Sequence, residues 1–267
     1  MAPKYIKFEK MDGVGIITMD RPESRNALTP EMIDEMGEAI EDCKRPDIRA
    51  VLLTGTGAAF CSGADVKNFV QILGEGGPQG LHDHIHTTAD ALHGKVVLGL
   101  RRLEKPVVAA INGVAAGTGF SLMLGCDLRV AASSARFLMA YANIGASADG
   151  GSTYLLPRLV GSGRAMELYL ASQPLSAQAA LEIGLVNQVV EDEALQRHAM
   201  ETAVRLAQGP TLAYGRTKAL FDQSWESGFA AQLDAETEGI ADSGLTADFQ
   251  EGIKAFTERR QARFQGK

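Results

Sequence analysis

KPVVAAINGVAAGTGFSLMLGCD, residues Lys105–Asp127, is the stretch whose reading decides the fold. The apolar run Pro106–Ile111 has the length and content of a buried strand, and it breaks at Asn112-Gly113. The chain then reaches Gly117-Thr118-Gly119, after which Phe120–Leu124 reads as a helix. A strand, a glycine-bearing turn and a helix in that order aim free backbone N–H groups at one point, where negative charge is favoured.

The same pattern occurs upstream. Ala50–Thr54 is a predicted strand, and GTGAAFCSGADVKNF (Gly55–Phe69) is a second glycine-bearing turn that enters a helix near Ala64-Asp65. GEGGPQG, residues 74–80, has the makeup of a mobile loop. The segment 81–103 is a predicted helix, with Leu92, Val96, Leu100 and Leu103 at helical spacing. At the start of the chain, Tyr5–Met11 and Val14–Met19 flank Asp12-Gly13 and predict a β-hairpin. A polar loop, RPESRNALT (Arg21–Thr29), ends at Thr29 as an N-cap with Pro30 at the first helical position; Met32, Ile33, Met36 and Ile40 form the buried stripe of that helix.

Downstream, Leu128–Ala132 is a predicted strand, and residues 137–151 are irregular and end in Asp149-Gly150-Gly151. Helices are predicted over 164–171, 177–183 and 192–207, with a short strand at 185–190. The fold class is α/β. Gly209-Pro210 is the expected boundary between a mixed core, 1–209, and a C-terminal helical region, 210–267. Helices near 211–224, 228–241 and 247–262, with no strand between them, predict an appendage that packs against a partner subunit.

Composition excludes several function classes. At 267 residues, with 45% hydrophobic and 22% charged content, the chain has the makeup of one sizeable soluble domain. A net charge of −7 without a basic run gives no support for nucleic-acid or acidic-membrane binding. Cys43, Cys61 and Cys126 have neither disulfide-framework nor zinc-site spacing, which fits a reducing cytoplasm. The N-terminal MAPKYIKFEK lacks a signal-peptide core, and no apolar run approaches a membrane span, so a cytoplasmic protein is expected.

Familiar site motifs are missing as well. A dinucleotide fingerprint fails because Phe60 and Leu122 stand where the third glycine belongs. There is no P-loop and no GxSxG elbow. His82, His84 and His86 form an HxHxH cluster beside the glycine-rich segment; a solvated loop is the expected reading, since metal sites need three or four converging ligands. His93 is expected to be a partly buried structural histidine. Asp149 alone reads as turn chemistry. The two glycine turns gain weight together, because two turns that each enter a helix can supply the two donors of an oxyanion hole.

The ordered set RPESRNALT, GTGAAFCSGADV, PVVAAINGVAAGTGFSLMLGCDLRVAASSARF and LVNQVV resembles the crotonase, or enoyl-CoA hydratase/isomerase, family from about Tyr5 to Phe264. The resemblance implies a spiral of ββα units with a C-terminal helical region that builds trimers, often paired into hexamers. It also implies an acyl-CoA thioester substrate and no metal, nucleotide or redox cofactor. The backbone N–H groups of Ala64 and Thr118 would grip the thioester oxygen, with Thr118 standing where a glycine is usual. Arg25, Ser62, Asp65, Val66 and Lys67 would border the CoA moiety. Phe120 and Tyr141 would line the acyl pocket, with Phe69, Val70, His93 and Met139 as further candidates.

Hydratases of this family use two glutamates, and the equivalent positions here hold Ser121 and Tyr141. Asp149 stands where enoyl-CoA isomerases carry an Asp or Glu, and DGGSTYLLPRLVGSGRAMELYL (Asp149–Leu170) is similar to ring-rearranging isomerases of phenylacetyl-CoA breakdown. The resemblance therefore implies an isomerase in which Asp149 moves a proton. Three alternatives stay open: a 4-chlorobenzoyl-CoA dehalogenase type with Asp149 as nucleophile, a hydratase, and a non-catalytic CoA-binding protein. Dehalogenases have a tryptophan at the Tyr141 position and a catalytic histidine that aligns with Gly94, one place from His93.

Overall fold

The computed structural model describes residues 3–267, so the first two positions of the expected 1–209 core lie outside the described residues. The chain opens with strands β1 (Ile6–Met11) and β2 (Val14–Met19), paired antiparallel. Both turn residues are left-handed, Asp12 at φ 50° and Gly13 at φ 78°, and that backbone twist suits a tight hairpin. Helix α1 (Pro30–Asp42) is capped by Thr29, whose side chain accepts the Met32 N–H at 3.3 Å, and it buries Met32, Ile33, Met36 and Ile40.

Three successive strand pairs follow. They are β3 (Ala50–Gly55) with β4 (Ala59–Cys61), β5 (Val107–Ile111) with β6 (Val114–Ala116), and β7 (Leu128–Ala132) with β8 (Arg136–Leu138). The first of each pair joins a six-stranded sheet ordered β1-β2-β3-β5-β7-β10, where β10 is Gln188–Val190. The second joins a smaller sheet ordered β4-β6-β8-β9, where β9 is Leu175–Ser176. Apart from the β1–β2 and β8–β9 pairs, adjacent strands run parallel. This is the expected ββα spiral. β3 and β5 are buried at every position, as parallel strands covered on both faces must be.

Helix α2 (Val66–Ala91) follows β4 and passes through a π-helical segment, Leu92–Val97, into α3 (Leu98–Arg102). The glycine-rich stretch 74–80 is therefore not a loop. Its irregularity is confined to Gly77 (φ 63°, ψ −166°), because Pro78 pushes the residue before it out of the helical region and then starts the next run. His82, His84 and His86 accordingly lie on helix. At about 100° per residue, His82 and His86 share one face and His84 points away from them. The His82 and His86 rings stack at 6.2 Å, and His84 meets Phe69 edge-on at 6.0 Å. Among the described residues, no group of three or more His, Cys, Asp or Glu side chains is placed to hold a metal.

Helix α4 (Thr118–Leu124) follows β6, and α5 (Ser152–Val160), which the sequence reading did not anticipate, runs on into α6 (Ser162–Ala171). Helices α7 (Ala177–Glu182) and α8 (Leu195–Ala207) complete the core, and α9 (Thr211–Gln223), α10 (Phe229–Gly244) and α11 (Ala247–Thr257) follow Gly209-Pro210. Arg49 ties the two regions together by donating to Gly209 O at 2.5 Å, Thr211 Oγ1 at 3.0 Å and Phe264 O at 3.1 Å. Among the described residues, no helix is long and apolar enough to cross a membrane.

Candidate active site

The two glycine turns lie side by side because the strands that lead into them pair, Ala59 with Val114 and Cys61 with Ala115. The approach is so close that a Cβ on Gly119 would stand 2.1 Å from Cys61 O, and one on Gly63 would stand 2.9 Å from Ala116 O and 3.3 Å from Thr118 N. Gly63 also has φ +100°, which a side chain would strain. The first turn is held from outside by Leu28, which donates to Gly63 O at 2.8 Å and accepts from Asp65 N at 3.2 Å. Between those two bonds the Ala64 N–H is skipped. Thr118 is the first residue of α4, so its N–H lacks an intrahelical acceptor. Neither the Ala64 nor the Thr118 N–H donates a hydrogen bond to a described residue, and each follows by two or three residues one of the paired parallel strands β4 and β6.

Asn26 is the strut beneath the first turn, and the sequence reading missed it. Fully buried and left-handed (φ 55°), it donates through Nδ2 to Thr56 O, Ala59 O and Phe60 O at 3.0, 2.8 and 3.2 Å. Its Oδ1 accepts the Arg21 N–H at 2.8 Å. The sequence signal was only a polar residue in a loop; the carbonyls it serves lie about thirty residues on.

Asp149 reaches the second turn from the opposite side. Tyr141 Oη donates to Asp149 Oδ1 at 2.6 Å, and the Thr118 hydroxyl donates to the same oxygen at 3.4 Å. Ser121 Oγ lies 2.7 Å from Tyr141 Oη. Since a carboxylate only accepts, the tyrosine proton points to Asp149 and Ser121 donates to the tyrosine. Burial, followed by the Asp149 charge, pushes the Tyr141 hydroxyl pKa well above its ordinary value, so Tyr141 stays a donor. No hydrogen bond from a described residue reaches Asp149 Oδ2. The Asp149 carbonyl accepts from the buried Ser152, from N at 3.1 Å and from Oγ at 2.8 Å. His93 Nε2 accepts the next amide, Gly150 N–H, at 3.1 Å.

Thr118, Ser121, Tyr141 and Asp149 are therefore brought together, with Ala64 on the neighbouring turn. The CoA-side candidates divide. Arg25 and Lys67 are exposed, and Arg25 O accepts the Ser62 N–H at 3.0 Å. Ser62 is half-buried and Val66 is exposed. Arg21, Ser24, Thr29, Asp65, Lys67 and Asn68 line a groove along this edge. Asp65 is tied by Arg21 at 2.8 Å and so braces the first turn. Phe120 lies deeper in the structure than the other acyl-pocket candidates. It is 1% exposed and packs in the hydrophobic core, while Thr118 and Ser121, three residues apart on α4, share the face that meets Tyr141 and Asp149. Met139 is buried, Phe69 and His93 are half-buried, and Val70 is exposed.

Among the described residues, the arrangement thus leaves two backbone N–H groups on adjacent turns without an acceptor and one carboxylate oxygen without a donor. Cysteine nucleophiles do not contribute, since burial pushes the thiols of Cys61 and Cys126 up to about 12.

Known proteins resemble the chain over nearly its whole length. The model of the family described as enoyl-CoA hydratase/isomerase matches residues 9–267. The chain is 39% identical over 256 residues to the 1,2-epoxyphenylacetyl-CoA isomerase of Escherichia coli K12, covering 96% of each. It is 37% identical over 267 residues to a Rhodobacter capsulatus protein called "Probable enoyl-CoA hydratase", covering 100% of each. The crystal structure of an enoyl-CoA hydratase from Bacillus anthracis superimposes with a TM-score of 0.91 at 30% identity, covering 99% of this chain and all of that one.

Proposed function

The chain belongs to the enoyl-CoA hydratase/isomerase family, and from that premise we propose that it is an acyl-CoA isomerase working through a thioester enolate. The observation that carries the reading is the Ser121–Tyr141–Asp149 chain of hydrogen bonds. By the family resemblance, Ser121 and Tyr141 stand where hydratases carry their two glutamates. They hydrogen-bond to each other and to Asp149, so the place of a paired acid and base is taken by neutral hydroxyls serving one carboxylate.

In this reading the thioester oxygen sits between the Ala64 and Thr118 N–H groups. Asp149 Oδ2 takes a proton from the carbon beside the thioester, and the electron pair moves onto the oxygen. Each N–H aimed at that charge is worth about 10²–10³ in rate, and the α4 N-terminus adds its dipole. The protonated Oδ2 then returns the proton two carbons further along, the double bond moves next to the thioester, and Asp149 is regenerated. A positioned carboxylate contributes about 10²–10⁴. No cofactor beyond the CoA of the substrate takes part. Syn addition of water needs a second proton-transfer group at the β-carbon, which these hydroxyls do not supply.

The dehalogenase alternative asks a histidine to activate water. The Gly150 N–H is an obligate donor, so the lone pair of His93 Nε2 is engaged with it, and Gly94 projects no side chain; both facts favour the isomerase. The deciding experiment offers the purified protein 3-enoyl-CoA, crotonyl-CoA and 4-chlorobenzoyl-CoA. Double-bond migration without appreciable hydration or halide release is expected, and rapid crotonyl-CoA hydration would overturn the proposal.

A further inference from the structure

We propose that His93 is a positioning residue for Asp149, its neutral Nε2 pinning the turn from which the carboxylate is aimed. The inference deepens the isomerase reading and rests on it for its kinetic consequence.

The turn is built from Asp149, Gly150 (φ +60°) and Gly151 (φ +79°), a backbone path that two adjacent glycines leave flexible unless it is tied down. Asp149 is fixed on one side by Tyr141 at its carboxylate and by Ser152 at its carbonyl. On the other side, the Gly150 N–H has one acceptor, His93 Nε2 at 3.1 Å. Loss of that bond frees the peptide plane that joins Asp149 to Gly150, and with it the direction of the side chain one residue earlier.

The helix bearing His93 departs from regular geometry at that place. Leu92–Val97 is π-helical, and the Leu98 N–H bonds to the His93 carbonyl. Such wide turns are rare and concentrate where a side chain is redirected for function. Here the wide turn presents two residues to the glycine pair. His93 accepts from Gly150, and Val97 lies so that a Cβ on Gly151 would touch its Cγ1 at 3.4 Å. Gly150 cannot carry a side chain either, since a Cβ there would stand 2.7 Å from Ser121 Cβ. The turn is thus wedged between α4 and the π segment, with His93 as its hydrogen-bonding contact on the π side. Because the backbone donates, the ring proton lies on Nδ1, and the role is that of an acceptor and not of a base.

The test uses the full-length protein with His93→Phe, which keeps a ring and removes the acceptor, and His93→Gln, whose Oε1 can stand near the position of Nε2. Amide exchange at Gly150 is read without substrate, and kcat and KM for 3-enoyl-CoA isomerisation are read separately. In His93→Phe, Gly150 exchange is expected to rise and kcat to fall, each roughly tenfold, with KM unchanged; His93→Gln is expected to restore both to within about threefold. Unchanged Gly150 protection in His93→Phe, or equal loss of kcat in both variants, overturns the proposal. If the wild type does not isomerise 3-enoyl-CoA, the functional reading fails, while the exchange data still decide whether His93 pins the turn.

Discussion

Tyr141 Oη lies 2.6 Å from Asp149 Oδ1, and the same hydroxyl is 2.7 Å from Ser121 Oγ. Tyr141 and Ser121 thereby form a hydrogen-bonded chain that holds the Asp149 carboxylate from one side. One carboxylate oxygen is occupied by Tyr141 and Thr118, and the other is left for the substrate. Tyr141→Phe removes a hydrogen bond to a charged group and should lower kcat roughly 10–100-fold with little change in KM, measured by steady-state isomerisation.

Restoring a hydratase acid singly should not restore hydration. Ser121 is fully buried, and Gly150 is packed against its Cβ. Ser121→Glu would force a second carboxylate beside Asp149, which forms no ion pair with a described residue. The expected outcome is no crotonyl-CoA hydration and a melting temperature lower by roughly 5–10 °C, read by calorimetry.

The contact between the two turns is testable at glycines. Gly119→Ala places a methyl group against Cys61 O and should destabilise the fold by about 3 kcal/mol or more, with loss of activity. Gly163 in α6 has open space around it, and Gly163→Ala should leave activity unchanged and stabilise the protein by about 0.5–1 kcal/mol. Urea unfolding of both variants checks the contrast.

Asn26→Ala removes the side-chain partner of Thr56 O and Phe60 O in the first turn and of the Arg21 amide, and leaves Ala59 O with Asn112 Nδ2 as its remaining side-chain partner. A loss of about 2–4 kcal/mol in chemical unfolding is expected, together with weaker acyl-CoA binding, since the same turn carries Ala64. A titration with a non-reactive acyl-CoA thioester reads the second effect.

The C-terminal region leaves the side chains of Phe229, Leu245 and Phe256 largely uncovered, at 79%, 82% and 85% exposure. A trimer of 28.4-kDa chains, or a pair of trimers, is the expected assembly, and Phe256→Asp should shift it toward monomer. Light scattering during gel filtration measures both.

Long buried strands and capped helices were legible in the sequence because their signals are local. β5 is an uninterrupted apolar run and β3 opens with one, Ala50–Leu53; α1 begins with Thr29-Pro30, and Asp12-Gly13 announces its hairpin. The smaller sheet was not legible, since β4, β6, β8 and β9 are two or three residues long and have no period to read. Composition misled at residues 74–80, where a glycine-rich stretch is helical on both sides of one broken residue. In the site, the paired turns were legible as two glycine-bearing turns that each enter a helix, whereas Asp149 reads locally as turn chemistry and only the family resemblance singles it out. The hydrogen-bonded linkage of Tyr141 and Ser121 to Asp149, the strut at Asn26 and the burial of Phe120 depend on which way side chains point in three dimensions.

The most direct measurement compares wild type with Asp149→Asn for turnover of 3-enoyl-CoA and for affinity toward a saturated acyl-CoA. Turnover lower by about 10²–10⁴ with affinity within about threefold is the expected result, because the amide keeps the shape of Asp149 but cannot take the proton. Turnover within tenfold of wild type would contradict the assignment of Asp149 as the group that moves the proton.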